Sequence, residues 1–505
     1  MTGSEDLLAR EHGTLSALIA RHALERPEKT ALLQGGEQLS YAALDQAMDR
    51  VASGLRRDGI APESAIGIVG VPTIGFAVIF LGALRAGCVP VPIAPSGTPE
   101  QICAMLQDCA APIVFADRES MSLLQDCGRK IVELEAMDAW MPARATPVDP
   151  PPARPEAAFN IIYSSGTTGL PKGIVQSHAM RWQHFQRMVE IGYGDAVTLI
   201  ATPLYSNTTL VSFLPTLAWG GTVVLMRKFD ARAYLATAQS ARATHGMLVP
   251  VQYQRIMALE DFDQFDLSSF RYKFCTSAPF LAELKQDVLA RWPGRLIEFY
   301  GMTEGGGTCI LDATGNPDKL HTVGRPAPGC DIRLIDADGR EVAHGEAGEV
   351  VGRSGAMMIG YHGRPEATRD AEWRDEAGRR FIRHGDIGRF DADGFLILLG
   401  RTKDLIISGG FNIYPSDIEA VVREHPDVSE CGVIGVDSER WGETPVAFVE
   451  AQAGSDADAI RDWANARLGK LQRITDLIIV DRLPRSAIGK LLKRELVDVY
   501  GQRRS

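Results

Sequence analysis

The stretch IIYSSGTTGLPKGIV, residues 161–175, is the most informative part of the sequence. Between two apolar runs it holds hydroxyl residues, glycines and one lysine: Ser164, Ser165, Gly166, Thr167, Thr168, Gly169, Lys172 and Gly173. Glycines let backbone N–H groups turn toward an anion, while hydroxyls and an ammonium group supply further donors. We therefore predict a phosphate-binding loop; the alternative is a surface turn rich in small polar residues.

Two common nucleotide motifs do not fit this loop. A Walker-type P-loop requires four residues between its first glycine and a Gly-Lys-Ser/Thr ending. Here Pro171 precedes Lys172 and Gly173 follows it, so no hydroxyl is placed to hold magnesium. A GxGxxG dinucleotide pattern is also absent from the sequence.

Length and composition predict a multidomain globular protein. The chain has 505 residues, which is too many for one hydrophobic core. Its content of 45% hydrophobic and 23% charged residues is typical of a globular protein. Its net charge of −11, with no basic run, argues against general nucleic-acid affinity. The eight cysteines form no CxxC pair and the N-terminus is no signal peptide, so we expect a reducing cytoplasm.

Residues 65–84, AIGIVGVPTIGFAVIFLGAL, carry no charge and are long enough to span a bilayer. Pro72 and several glycines divide the segment, however. We predict a buried strand, a turn and a buried helix, followed by the strand CVPVPI, which together make a βαβ unit rather than a membrane span.

The rest of the chain alternates α and β patterns. A proline-rich linker precedes the strand that enters the glycine-hydroxyl loop, and short strands between turns predict a β-rich unit over residues 323–399. The last hundred residues predict a separate α/β domain. We expect an α/β fold with a large N-terminal domain, residues 1–400, and a small C-terminal domain, residues 401–505.

Five stretches in order resemble motifs of the adenylate-forming superfamily, which contains acyl- and aryl-CoA synthetases, luciferases and peptide-synthetase adenylation domains. They are YSSGTTGLPKG (163–173), YGMTEGG (300–306), HGDIGRFDADGFLILLGR (384–401), GRTKDLIISGGFNIYPSDIE (400–419) and PRSAIGK (484–490). The resemblance covers nearly the whole chain. It implies that fold, with α/β sub-lobes and a β-rich unit in the large domain and a mobile small domain.

The resemblance implies roles for the nucleotide-binding residues. Glu304 would hold the Mg²⁺ that bridges the phosphates of ATP, and Thr303 would donate to the α-phosphate. Asp386 and Arg401 would bind the ribose, although a plain Asp–Arg salt bridge is an alternative. Adenine would lie against Tyr300 and the SAP string Ser277, Ala278 and Pro279.

The small domain would provide the remaining chemistry. By resemblance, Lys490 is the catalytic cation that meets the carboxylate and the α-phosphate, although GKLLKREL also suits an ordinary basic helix start. Lys403 matches the hinge about which the domain rotates. Gly409 and Gly410 match the glycines of the pantetheine tunnel, and Trp441 either lies beside that tunnel or packs in the core.

The acid-binding stretch ATPLYSNTTL, residues 201–210, departs from the family pattern. Ser206 stands where an aromatic residue or histidine is usual, so we expect a roomier or more polar pocket mouth. No aspartate is present to pair with an α-amino group, which makes an amino-acid substrate less favoured. The predicted pocket walls are Tyr205, Ser206, Thr276, Phe280, Gly301 and Met302.

These observations favour an AMP-forming acyl- or aryl-CoA synthetase that uses ATP, Mg²⁺, coenzyme A and a small or medium carboxylic acid. One alternative is a stand-alone adenylation enzyme that loads a carrier-protein pantetheine. A non-catalytic nucleotide-binding regulator is disfavoured because Lys172, Glu304, Asp386 and Lys490 are all present. A homodimer is compatible with the sequence.

Overall fold

The computed structural model describes residues 3–144, 146–152, 154–164, 171–408, 411–438, 441–470, 472–486 and 489–504. The chain forms two compact units. The N-terminal unit comprises Met1–Leu320, Ala327–Asp331 and Arg353–Ile382, and the C-terminal unit comprises His321–Pro326, Ile332–Gly352 and Arg383–Ser505. The predicted boundary at residues 400 and 401 stays a prediction.

The helices and strands alternate along most of the chain. The helices are α1 Ser4–Leu8, α2 Leu15–Glu25, α3 Tyr41–Arg57, α4 Ile74–Arg85, α5 Pro99–Asp108, α6 Met137–Trp140, α7 His178–Arg187, α8 Asn207–Ala218, α9 Ala231–Ser240, α10 Pro250–Met257, α11 Ala282–Arg291, α12 Pro365–Asp370, α13 Pro415–Arg423, α14 Ala457–Asn465 and α15 Lys493–Arg504. The strands are β1 Thr30–Gln34, β2 Glu37–Ser40, β3 Ala65–Val69, β4 Val89–Ile93, β5 Ile113–Ala116, β6 Lys130–Glu133, β7 Ala158–Ser164, β8 Lys172–Ser177, β9 Val197–Ile200, β10 Thr222–Leu225, β11 His245–Leu248, β12 Tyr272–Cys275, β13 Arg295–Gly301, β14 Thr308–Asp312, β15 Arg325–Pro326, β16 Asp331–Ile335, β17 Gly348–Arg353, β18 Gly360–Tyr361, β19 Glu372–Arg374, β20 Arg380–Phe390, β21 Leu396–Arg401, β22 Ile406–Ser408, β23 Phe411–Ile413, β24 Val428–Ser438, β25 Gly442–Ala451 and β26 Asp476–Ile479.

The uncharged segment at residues 65–84 is part of a buried βαβ unit, as predicted. Strand β3 leads through a turn to α4 and then to β4, which pairs parallel with β3. The Thr73 hydroxyl accepts a hydrogen bond from Phe76 N and so starts the helix. Every residue of α4 except Gly75 is buried, because neighbouring elements cover it on all sides. No helix within the described ranges is long and apolar enough to cross a bilayer.

A nine-stranded sheet brings the predicted site segments together. Its order is β15-β14-β13-β12-β11-β9-β10-β1-β2, and β9, β11, β12 and β13 run parallel. The acid-binding stretch follows β9, the SAP string follows β12, and the YGMTEGG motif begins at the end of β13. Ligands bind at the carboxyl ends of parallel strands in open α/β sheets, so this topology favours one shared site.

Two smaller sheets complete the N-terminal unit. One has the order β4-β3-β5-β6, and the other has the order β18-β8-β7 and carries the glycine-hydroxyl loop between β7 and β8. A disulfide bond joins Cys103 on α5 to Cys127, while the other cysteines of the described residues are free. The sequence spacing of the cysteines did not predict this bond.

The C-terminal residues form the predicted α/β arrangement. Strands β22 to β25 make a sheet of order β23-β22-β25-β24, and β26 adds parallel to β25. Helices α13 and α14 pack buried apolar residues onto it, including Ile418, Val422 and Ile460. The β-rich region forms a second sheet of order β16-β17-β20-β19, with β21 beside β20.

Candidate active site

The glycine-hydroxyl loop lies at the end of a hairpin. Strands β7 and β8 are antiparallel, and Ser164 pairs with Lys172 at the last rung. The predicted phosphate ligands Ser165, Gly166, Thr167, Thr168 and Gly169 lie outside the described residues, as does the Ser164 side chain. The sequence predicted the strand that runs into the motif, and β7 confirms it, whereas the returning strand β8 was not predicted.

Tyr163 anchors the strand that enters this loop. Its hydroxyl donates to Asp108 Oδ2 at 2.6 Å and lies 3.1 Å from the Met105 carbonyl oxygen, both on α5. Burial, together with the Asp108 carboxylate, raises the pKa of Tyr163, so the phenol keeps its proton. Asp108 also pairs with Arg364 at 3.6 Å. The Asp108 carboxylate therefore contacts both strand β7, through Tyr163, and the segment after β18, through Arg364.

Lys172 and Glu304 are linked through Tyr361, a residue that the sequence did not single out. The Lys172 ammonium lies 5.0 Å from the centroid of the Tyr361 ring, which is a cation–π distance. The Tyr361 hydroxyl donates to Glu304 Oε1 at 2.9 Å. Burial, reinforced by the Glu304 carboxylate, raises the pKa of Tyr361. The ring thus holds a cation and a carboxylate of the two nucleotide motifs in fixed positions.

The turn that carries Thr303 and Glu304 is fixed by its backbone. Gln176 Nε2 donates to the Thr303 carbonyl oxygen at 2.8 Å, and the Met358 N–H donates to the Glu304 carbonyl oxygen at 2.8 Å. Gly305 has φ +76°, and a Cβ there would lie 2.0 Å from the Ala356 carbonyl oxygen. Only glycine fits this position without a backbone shift.

The SAP string carries backbone strain. Ser277 is one of the non-glycine residues with positive φ, at +85°, and its hydroxyl hydrogen-bonds with that of Thr208 on α8. Ala278 is partly buried and Pro279 is exposed. Strained residues of this kind cluster at ligand sites. The bond to Thr208 places the predicted adenine segment beside the predicted acid segment.

Two of the predicted pocket walls lie at the start of α8. Ser206 is the N-cap residue, and its hydroxyl accepts a hydrogen bond from Thr208 N at 3.3 Å. Tyr205 is partly buried, which raises the pKa of its phenol. Ser206 therefore helps to start the helix in addition to any role at the pocket mouth.

The other predicted walls differ in their environments. Phe280 is buried and stacks on Tyr253 at 5.2 Å, so its ring belongs to an aromatic cluster of the core. Thr276 is partly buried, Gly301 is exposed, and Met302 packs against a small apolar cluster. Tyr300 lies on β13 with its side chain largely buried. All of these wall and adenine roles stay predictions.

The predicted ribose ligands meet in the C-terminal unit. Asp386 and Arg401 are paired residues of β20 and β21, and Arg401 Nε donates to Asp386 Oδ1 at 2.7 Å. This is the salt bridge that was the alternative to ribose binding. Because a carboxylate can accept more than one hydrogen bond, the salt bridge and ribose binding do not exclude each other.

Lys490 lies on a hairpin loop of the C-terminal unit. The loop is closed by hydrogen bonds between Ser486 and Lys490, and Arg485 donates to the Gly489 carbonyl oxygen at 2.9 Å. Burial, followed by repulsion from Arg401, lowers the pKa of Lys490 to about 8. The nearby Asp386 carboxylate opposes this shift. Helix α15 begins only at Lys493, so Lys490 itself is not a helical residue.

The predicted hinge and tunnel residues are only partly described. Lys403 lies in a 3-10 turn, Thr402–Asp404, directly after β21, and burial lowers the pKa of its ammonium group. Gly409 and Gly410 lie outside the described residues. Trp441 is 37% exposed, which does not fit the core alternative for this residue.

A magnesium ion fits the site only together with a nucleotide. Within the described ranges, no group of three or more His, Cys, Asp or Glu side chains is placed to hold an ion. Mg²⁺ is usually held by one or two carboxylates together with substrate phosphates and water. The single carboxylate Glu304 meets that requirement.

Sequence comparison identifies relatives over nearly the whole chain. The profile of the family described as AMP-binding enzyme matches residues 19–362, and that of the AMP-binding enzyme C-terminal domain matches residues 417–490. A feruloyl-CoA synthase of Amycolatopsis sp is 34% identical, with 95% of this chain and 98% of that protein aligned. An indoleacetate–CoA ligase of Aromatoleum aromaticum is 32% identical, with 95% and 97% aligned.

The fold has a close match among solved structures. The ATP-bound crystal structure of MatB from Rhodopseudomonas palustris superimposes with a TM-score of 0.86 and 29% identity. The match covers 97% of this chain and 99% of that one. The two-domain α/β fold expected from the motifs is therefore confirmed.

Proposed function

The chain belongs to the AMP-binding enzyme family and is an AMP-forming acid–CoA ligase, and on this basis we propose that its acid is a small or medium aryl-substituted carboxylic acid. The observation that carries this proposal is the pair of relatives at 34% and 32% identity, whose names specify a feruloyl and an indoleacetate substrate. Both acids join a carboxylate to an aromatic ring by a short linker.

The environment of Ser206 supports a pocket with space for a ring. Its short side chain caps α8 instead of projecting a bulky group at the pocket mouth. Thr208 and Ser277 supply hydroxyls next to it, which suit substituents on an aromatic ring. Tyr205, Thr276, Gly301 and Met302 are proposed to complete the walls, and Phe280 to limit their depth through its packing on Tyr253.

The first half-reaction joins two anions. A carboxylate oxygen attacks the α-phosphorus of ATP, and the bond to pyrophosphate breaks. We propose that the glycine-hydroxyl loop and Lys172 bind the phosphates, that Thr303 donates to the α-phosphate, and that Lys490 neutralises charge in the transition state. Mg²⁺, held by Glu304, would supply further positive charge at the phosphates. Asp386 and Arg401 are proposed for the ribose, and Tyr300 with Ser277, Ala278 and Pro279 for the adenine.

The second half-reaction transfers the acyl group to a thiol. The thiol of coenzyme A attacks the acyl carbon, loses its proton, and AMP leaves. We propose that Lys403 is the hinge for domain rotation between the two steps and that Gly409, Gly410 and Trp441 line the path of the pantetheine arm. A carrier-protein pantetheine has the same thiol, so it remains the alternative acceptor.

The test is pyrophosphate release with ATP and Mg²⁺ across a panel of ferulate, indole-3-acetate, benzoate, octanoate and malonate, each with and without coenzyme A. We expect the highest kcat/KM with an aryl acid and faster turnover with coenzyme A. A preference for octanoate or malonate would refute the aryl proposal. Acid-dependent release that ignores coenzyme A would favour a carrier protein.

The cellular setting follows from the substrates. ATP and coenzyme A are cytoplasmic metabolites, so we propose that the enzyme works in the cytoplasm. The Cys103–Cys127 disulfide is atypical of that compartment, and titration of free thiols in protein isolated under native conditions would show whether it is formed there. A homodimer stays a prediction, which sedimentation would test.

A further inference from the structure

A buried arginine on α7 connects the segments that flank the candidate site. Arg181 is 2% exposed, and its guanidinium contacts three side-chain amide oxygens. Asn160 Oδ1 on β7 lies 3.2 Å from Nε and 3.1 Å from Nη2, Asn207 Oδ1 lies 3.0 Å from Nη2, and Nη2 also donates to Gln176 Oε1 on β8. Four elements, β7, β8, α7 and the start of α8, therefore meet at one side chain.

The partners of this arginine are amides rather than carboxylates. Within the described part of the chain no carboxylate pairs with Arg181, whereas the equally buried Arg85 pairs with Asp45 and Asp49. A carboxylate would offset the cost of burying the charge more fully. A side-chain amide, however, has a donor end as well as an acceptor end. An amide held by its oxygen directs its NH₂ group to a second partner, which an ionised carboxylate cannot do.

Gln176 transmits this orientation to the turn that carries the second nucleotide motif. Because a guanidinium has donors only, Arg181 binds the oxygen end of the Gln176 amide. The NH₂ end then lies 2.8 Å from the Thr303 carbonyl oxygen and 3.5 Å from Asn207 Oδ1. A reversed amide would place its oxygen against the Thr303 carbonyl oxygen. Gln176 is fully buried, so bulk water does not replace a lost bond there.

The two ends of this network are the two halves of the proposed reaction site. Thr303 is proposed to donate to the α-phosphate, and Asn207 directly follows Ser206 of the acid-binding stretch. Adenylation requires the carboxylate oxygen to meet the α-phosphorus in one geometry, and a misplacement of about 1 Å can cost about 100-fold in rate. The distance between the Thr303 turn and the start of α8 therefore matters for the chemical step.

We propose that Arg181 is a positioning residue for adenylation. By fixing the Gln176 amide and Asn207 together, it holds the Thr303 turn at a set place relative to the acid-binding start of α8. This inference rests on the proposed function, and none of the five motifs quoted above contains Arg181 or Gln176. Arg181 acts through these two amides and not on the reacting atoms.

The test compares two variants that make the same change of charge at Arg181. Q176E and N160D each place one carboxylate against the guanidinium, as Asp45 and Asp49 are placed against Arg85. Only Q176E removes the donor to the Thr303 carbonyl oxygen. The assay is pyrophosphate release with the preferred acid of the panel. In Q176E we expect kcat to fall about 10- to 100-fold, with KM for the acid within roughly 2-fold. N160D should keep kcat within roughly 2-fold.

A second readout does not depend on activity. The Gly305 N–H donates to the Met302 carbonyl oxygen within the turn, and a loosened turn exposes this N–H to exchange with solvent. In the full-length chain without ligands, the peptide that covers residues 301–306 should exchange its amide hydrogens faster in Q176E and at the parental rate in N160D. Failure of the ligase reaction is seen separately, as an absence of pyrophosphate release by the unmodified protein.

Equal kcat losses in Q176E and N160D would mean that the cluster only stabilises the fold, and would overturn the proposal. Unchanged kcat or unchanged exchange in Q176E would also overturn it. R181M should lose kcat as Q176M does, and the double variant should lose no more than R181M alone, because both changes interrupt one path; additive losses would contradict this. If Q176E does not fold, Q176M takes its place, since methionine also lacks the donor.

Discussion

The lowered pKa of Lys490 predicts an alkaline limit to the first half-reaction. A catalytic lysine must be protonated to neutralise developing negative charge. With a pKa of about 8, Lys490 is protonated in about 75% of molecules at pH 7.5 and in about 10% at pH 9. An ordinary lysine, with a pKa near 10.4, would stay about 95% protonated at pH 9. We therefore expect kcat/KM to fall about 8-fold between these two pH values.

The assay is pyrophosphate release under kcat/KM conditions, from pH 6.5 to 9.5 at constant ionic strength. The profile of kcat/KM reports ionisations of the free enzyme and free substrates, whereas kcat reports those of the bound complex. Since bound phosphates attract the ammonium proton, the limb in kcat should lie at higher pH than the limb in kcat/KM. A separation in this direction would identify the group as a cation next to the nucleotide.

The matched control is K490R, because arginine keeps its charge over this whole range. Its activity should be lower owing to the different geometry, but its kcat/KM should not decline between pH 7.5 and 9. A profile of the unmodified enzyme that stays flat to pH 9.5 would refute the reasoning. So would an alkaline limb of equal steepness in K490R, which would assign the ionisation to another group.

Three further changes test the N-terminal unit. Tyr361→Phe removes the hydroxyl that holds Glu304 but keeps the ring, so KM for magnesium-bound ATP should rise about 5-fold in steady-state kinetics; an unchanged KM would exclude this orienting role. Gly305→Ala places an alanine at a positive φ and its Cβ 2.0 Å from a backbone carbonyl oxygen. We therefore expect urea unfolding to show that the free energy of unfolding falls by at least about 2 kcal/mol. Gly363→Ala, which has open space around the added Cβ, should lower the free energy of unfolding less. Cys103→Ser opens the disulfide-closed loop and should lower the unfolding free energy by about 3 kcal/mol under oxidising conditions; no difference from the parent protein would show that the bond does not form.

Much of the fold could be predicted from local sequence. The segment at residues 65–84 has two apolar runs separated by Pro72. This interruption predicts a strand, a turn and a helix in that order. The strand that enters the glycine-hydroxyl loop was equally visible, because an apolar run precedes the loop. These features depend on neighbours in the chain, which a sequence displays directly.

The contacts that hold the site together could not be predicted in this way. Tyr361 meets Glu304 across 57 residues of sequence, and Arg181 gathers partners from four elements. Neither contact leaves a spacing signal, since the residues meet only after the sheets have formed. The sequence does suit a short strand at Tyr361, because the dipeptide Gly360–Tyr361 stands between an apolar run and a turn, but it does not show that this strand pairs with β8. The 24-residue separation of the disulfide cysteines likewise carries no signature.

The link from Asp108 to Tyr163 and Arg364 has a consequence for how the enzyme can be altered. Because α5 ends at this carboxylate, a shift of the helix is transmitted to the strand that enters the glycine-hydroxyl loop and to the segment that follows Tyr361. The outer face of α5 carries the exposed residues Glu100, Gln101 and Gln107, none of which is a predicted site residue. We expect substitutions at these positions to alter the nucleotide affinity proposed for the loop while the predicted acid-binding residues stay unaltered.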